Sequence, residues 1–107
     1  MKKIIALLLA AVMVMCLFAG CASSGGSKVI KIGVFEPQSG DNGAGGKQEV
    51  LGIQYANSVK PTVTIGGEEY KIELDIQDNQ SSTDKAVSAA QQLVADKVSV
   101  VLGSYGS

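Results

Sequence analysis

The order of apolar and polar runs predicts an α/β fold, a parallel βαβαβ sheet with an added β-hairpin behind an N-terminal signal helix. Three observations carry this prediction. Short β-rich runs at 29–35, 70–77 and 98–102 alternate with two stretches of helical periodicity. A Gly66-Gly67 pair between two further β-rich runs signals a two-residue hairpin. A charged start followed by fifteen apolar or small residues precedes all of it.

Lys2 and Lys3 form the positive end of a signal sequence, and Ile4 to Phe18 is its uncharged apolar run. That run is short for a membrane-spanning helix, which needs about 20 residues, so cleavage is expected and an uncleaved anchor is the alternative. The signal peptide is placed at 1–20. Residues 22–27 (Ala-Ser-Ser-Gly-Gly-Ser) carry little that can pack, so 21–27 reads as a flexible tether.

Val29 to Phe35 is the first strand, with Ile30, Ile32 and Val34 on one face. Glu36 to Gly46 holds Pro37 and four glycines and reads as a loop. Lys47 to Lys60 repeats Val50, Ile53 and Ala56 at helical spacing, and Pro61 stops it. In Tyr70–Gln77 four apolar residues alternate with four polar ones, the pattern of a sheet edge. Asp78 to Ser82, with Ser81 inside it, is a polar turn, and Ser82 or Thr83 is the cap of a helix whose stripe is Ala86, Val87, Ala90, Leu93 and Val94. Val98 to Leu102 is the third parallel strand. Right-handed crossovers then place the first strand between the other two, with ligands expected at the carboxyl ends, beside 36–46 and 103–107. The third strand lacks a following helix to cover it, so a truncated domain over 28–107 is expected.

Composition excludes several chemistries. The 107 residues contain no His, so a Ser-His-Asp triad, a Cys-His dyad or an HExxH zinc site cannot be assembled from this chain. The net charge of −1, with no Arg among nine basic residues, argues against nucleic-acid binding. Loss of Lys2 and Lys3 would take that charge to −3. The 36–46 glycines fail GxGxxG, since Gln48 occupies the final position counted from Gly43, and fail the P-loop at Asp41 and Gln48. Gly103-Ser104-Tyr105-Gly106-Ser107 lacks the GxSxG nucleophile pattern. Its hydroxyls and N–H groups suit the holding of a carboxylate, and a plain polar turn is the competing reading. Asp75, Asp78, Asp84 and Glu73 lack calcium-loop spacing and read as a solvated edge and a helix start. No cofactor and no metal are expected.

Leu17-Phe18-Ala19-Gly20-Cys21 resembles a bacterial lipobox, with Phe18 where Leu is most common. The resemblance implies a diacylglycerol on Cys21 and an outer-face membrane anchor. Cys16 would leave with the signal, so no free thiol or disulfide would remain.

Five stretches together resemble the N-terminal lobe of leucine/isoleucine/valine-type substrate-binding proteins of ABC transporters, the type I periplasmic-binding fold. They are Ile30 to Gly40, Gly52 to Asn57, Asp75 to Gln80, Lys85 to Val87, and Val100 to Ser107. The resemblance implies two lobes closing on a small solute, most often an amino acid, and delivery to a membrane permease without covalent chemistry. It implies that Ser107, with Gly106 and Tyr105, holds the ligand's α-carboxylate and that Ser39 and Gly40 face it across the cleft. An aromatic residue common in the family's first loop falls near Gly45 and is missing. A ligand-sensing ectodomain and an exported α/β enzyme are the other classes compatible with this sheet.

Overall fold

The computed structural model describes residues 28–106; the signal, the tether, Cys21 and Ser107 lie outside them. The elements follow in the order β1 (Val29–Glu36), α1 (Gly43–Val59), β2 (Thr62–Ile65), β3 (Glu68–Asp78), α2 (Thr83–Ala95) and β4 (Val100–Leu102). They form one four-stranded sheet in the order β2-β3-β1-β4. β1 runs parallel to β3 over its whole length, from Val29 opposite Lys71 to Glu36 opposite Asp78. It also runs parallel to β4, with Ile32 opposite Val100 and Val34 opposite Leu102. The predicted placement of the first strand between the other two parallel strands is therefore observed.

The hairpin forms as expected. Gly66 and Gly67 have φ of +60° and +81°, which a two-residue turn between right-twisted strands requires. β2 pairs antiparallel with Glu68–Lys71. This corrects the expectation that Tyr70–Gln77 is an edge strand. Its first half is covered by β2, and only the stretch beyond Ile72, whose N–H reaches the Pro61 carbonyl, has an open side.

The first helix starts four residues earlier than its apolar periodicity indicates. Gly43, Gly45 and Gly46 form its opening turn, with Gly46 N–H bonded to the Asn42 carbonyl at 3.1 Å. These glycines serve close approach: a Cβ on Gly46 would overlap the Pro37 carbonyl oxygen, and one on Gly45 would overlap the Tyr105 ring. The helix ends at Val59, before Pro61, as a proline stop dictates.

The second helix is capped by Ser82, whose Oγ accepts from the Lys85 N–H at 3.5 Å, and Asp84 lies in its first turn, where the helix dipole favours a negative charge. Its inward face differs from the predicted stripe. Ala89 and Leu93 are buried with Ala86 partly so, while Val87 and Val94 are exposed. Ala90 is exposed as well. Gly33 has no side chain, and a Cβ there would meet Leu93 Cδ2 and Val98 Cγ2 at 3.1 Å each, so Leu93 seats in the notch, while Ala90 and Val94 line an open apolar groove with Phe35, Val100 and Val101. α1 packs on β1, with Val50 the buried apolar residue of the helix. Val98 and Ser99, expected in the last strand, lead into it, and the Ser99 N–H donates to the Lys31 carbonyl at 2.8 Å. All three residues of β4 are exposed.

Candidate functional site

The carboxyl ends of β1, β3 and β4 meet at one edge of the sheet together with the start of α1. A parallel ladder in register brings this about, because it sets Glu36 beside Asp78 and leaves the loops that follow side by side.

Asp78 ties the first two loops together. Its Oδ1 accepts the N–H of Gln38 at 2.7 Å and of Gln80 at 2.8 Å, and its Oδ2 accepts the Ser39 hydroxyl at 2.7 Å. Partial burial pushes this carboxyl upward, but the Gln38 N–H, the Ser39 hydroxyl and the Gln80 N–H outweigh it and hold the group below its ordinary value of 3.8. Gln80 and Ser81 have φ of 56° and 54°, a left-handed backbone uncommon outside glycine. Bonds from Gln80 N–H to Asp78 and from Ser81 N–H to Asn79 Oδ1, at 3.0 Å, support it. The Ser81 hydroxyl accepts from Asn42 N–H at 3.0 Å and donates to the Ser39 carbonyl at 2.9 Å. Gly40, with φ +76°, lies against the Gln80 carbonyl with no room for a side chain.

The third loop is fastened to the other two. The Tyr105 N–H donates to Glu36 Oε2 at 2.7 Å. Asn79, itself buried, donates from Nδ2 to Ser104 Oγ at 2.9 Å. Gly103, with φ +125°, lies directly on the Phe35 carbonyl. Glu36 is only 1% exposed. Burial pushes its carboxyl above the ordinary value of 4.5; the Tyr105 N–H opposes the rise and the neighbouring Glu49 carboxyl adds to it.

Between these loops and α1 opens a polar cleft of about 380 Å³ lined by Asn42, Glu49, Ser104, Tyr105 and Gly106. Of the residues expected in the site, Tyr105 and Gly106 line the cleft. Ser39 and Gly40 engage the β3 loop instead, the hydroxyl of Ser39 being committed to Asp78. Ser107 and Cys21 fall outside the described residues. The Tyr105 ring lies against the backbone of Gly45 in the opening turn of α1.

The sequence alone does not single out Asn42, Glu49, Asn79 or Ser104, and in it Glu36 reads only as the start of a loop. Asn42, Gly46 and Glu49 recur at helical spacing, a signal visible only once the helix begins at Gly43. Ser81 reads as an ordinary turn residue, yet its hydroxyl bridges two loops. Donors and acceptors dominate the cleft, no nucleophile is paired with a base there, and no metal-ligating cluster occurs among the described residues. Such a lining can hydrogen-bond a polar ligand.

A mostly parallel sheet with an open polar cleft at its strand ends is an arrangement that small-molecule-binding lobes share with other α/β proteins. The chain belongs to the periplasmic binding protein family, whose model matches residues 29–107. A solved leucine-binding protein, LivK from Thermotoga maritima, is similar, with 36% identity and a TM-score of 0.60. The match covers 70% of this chain and 21% of LivK, so the chain spans about a fifth of that protein. No curated protein matches by sequence. The fold is the type I periplasmic-binding fold.

Proposed function

We propose that the protein captures an amino acid outside the cell for an ABC importer, and that residues 28–107 form the opening of the first of two lobes. The observation that carries this reading is the 36% identity to a leucine-binding protein over 70% of the chain. In the Gly103–Gly106 loop the Ser104 hydroxyl and the Tyr105 N–H are taken by Asn79 and Glu36, and the Gly106 N–H and the Tyr105 hydroxyl are the groups that suit an α-carboxylate, from which lobe closure would exclude water. Branched-chain or related amino acids are the ligand class, and permease subunits in the membrane are the partners.

The carboxylate role extends to Ser107, which follows that loop directly. Hydrogen bonds to a charged group contribute roughly 1.5–3 kcal/mol. In the full-length protein, Ser107→Ala is therefore expected to weaken L-leucine binding by about ten- to a hundredfold, as read by calorimetry. L-Leucinamide, which lacks the carboxylate, should bind the unaltered protein far more weakly than L-leucine. Equal affinity for acid and amide, or a silent Ser107→Ala, would remove the carboxylate assignment.

Anchoring is proposed through a lipid on Cys21, several acyl chains at about 0.8 kcal/mol per buried methylene giving stable membrane attachment. Mass spectrometry of membrane fractions should find acylated Cys21 at the mature N-terminus. Retention of residues 1–20 on the mature protein would contradict it.

A further inference from the structure

The polar cleft between the loops and α1 keeps few uncommitted groups once the hydrogen bonds that fasten the loops are set aside. The Asn42 N–H is held by the Ser81 hydroxyl, the Ser104 hydroxyl by Asn79 and the Tyr105 N–H by Glu36. Among the described residues this leaves the Glu49 carboxylate as the one charge in the lining, with the Asn42 side-chain amide, the Tyr105 ring and hydroxyl, and the Gly106 N–H. Neither a lysine nor an aliphatic side chain of the described residues lines the cleft. Their ion pairs, Lys28 with Glu68 and Lys71 with Glu73, lie elsewhere. Glu49 is exposed and sits one turn along α1 from Gly46, whose seat on Pro37 fixes the helix against the loops. A fixed carboxylate without a counter-ion, in a cleft that lobe closure would dry, attracts positive charge. The Tyr105 ring, 45% exposed and backed by Gly45, adds an aromatic surface that also favours a cation.

We propose, resting on the reading of this cleft as an amino-acid site, that Glu49 is a ligand-binding residue which receives a protonated nitrogen of the solute, with the Tyr105 ring of the same cleft as its aromatic companion. The lining then offers two kinds of partner. The Gly106 N–H and the Tyr105 hydroxyl donate to a carboxylate, and Glu49 accepts from an ammonium, which together suit a zwitterion. Two ligand nitrogens meet this chemistry, the α-ammonium that every amino acid carries and the terminal nitrogen of a basic side chain. The same carboxylate disfavours a second acidic group on the solute, since two like charges would share a site from which water is withdrawn.

The test is calorimetry on the full-length protein with L-leucine, L-lysine, putrescine and 2-hydroxy-4-methylpentanoate, the leucine analogue with a hydroxyl in place of its ammonium. Glu49→Gln keeps the shape and removes the charge. It should weaken amino-acid binding by roughly tenfold, the scale of one charged hydrogen bond, and Glu49→Lys should weaken it further. The hydroxy acid should bind Glu49→Gln as well as it binds the unaltered protein. A loss for L-leucine places the α-ammonium at Glu49, and a loss confined to L-lysine places the side-chain nitrogen there. An unchanged urea midpoint should accompany either result, because Glu49 is exposed. Glu49→Gln and Glu49→Lys that bind both amino acids as tightly as the unaltered protein overturn the proposal and leave the amino-acid reading intact. A hydroxy acid weakened as much as L-leucine also overturns it. Putrescine binding that is lost in Glu49→Gln, with neither amino acid bound, supports the cation site and defeats the amino-acid reading.

Discussion

Gly46→Ala is expected to destabilise the full-length protein by about 2–3 kcal/mol, the upper range for forcing an extra carbon into a filled space. Gly46 is buried in the first turn of α1, and the added Cβ would overlap the Pro37 carbonyl oxygen, an atom of backbone that cannot rotate aside. The helix start must then move from the β1 loop, and Asn42 and Glu49 move with it out of the cleft. Gly52→Ala is the comparison. Gly52 lies in the same helix, and a Cβ added there would meet nothing within 4 Å, so alanine should stabilise by roughly 0.5–1 kcal/mol through helix propensity. Opposite shifts in the urea midpoints of the two variants would verify the close approach. A neutral Gly46→Ala would show that α1 does not sit this tightly on Pro37.

Asp78→Ala is expected to cost about 2–3 kcal/mol, because it orphans the Gln38 N–H, the Gln80 N–H and the Ser39 hydroxyl together. Solvent reaches part of this cluster, which keeps the figure well below the sum of three charged hydrogen bonds. Ser39→Ala removes only one of the three and should cost about 1 kcal/mol or less. The pH dependence follows from the lowered carboxyl value. The Asp78 contribution is present above its ordinary value of 3.8 and disappears as pH falls through the lower folded-state value. Unfolding free energies of the unaltered protein and Asp78→Ala, compared between pH 2 and 6, should converge at the acid end. Parallel curves would show that the loop clasp does not depend on the Asp78 charge.

How far the sequence can be read depends on the range of the interactions involved. The Gly66-Gly67 turn, the Ser82 cap and the Pro61 stop act over a few neighbouring residues, and each is legible for that reason. The seat of Leu93 is not, since it is the space left by Gly33, sixty residues upstream. The same applies to the start of α1. A run of glycines has the local character of a loop, and only the carbonyl of Pro37 and the ring of Tyr105 pressed against it show why small residues open that helix.

The candidate site divides along the same line. Tyr105 and Gly106 could be placed from the sequence because a parallel βαβαβ unit presents the loop after its third strand at the switch point. Ser39 could be located there but not given its partner, which is a carboxylate 39 residues away. The sequence by itself determined the parallel sheet, its strand order and the absence of histidine chemistry, all consequences of local pattern or composition. The tertiary structure alone decided which polar groups are consumed in holding the loops and which remain free for a ligand, since hydrogen bonds between Asp78, Asn79, Ser81 and the other two loops exist only when distant segments are brought within about 3 Å of one another.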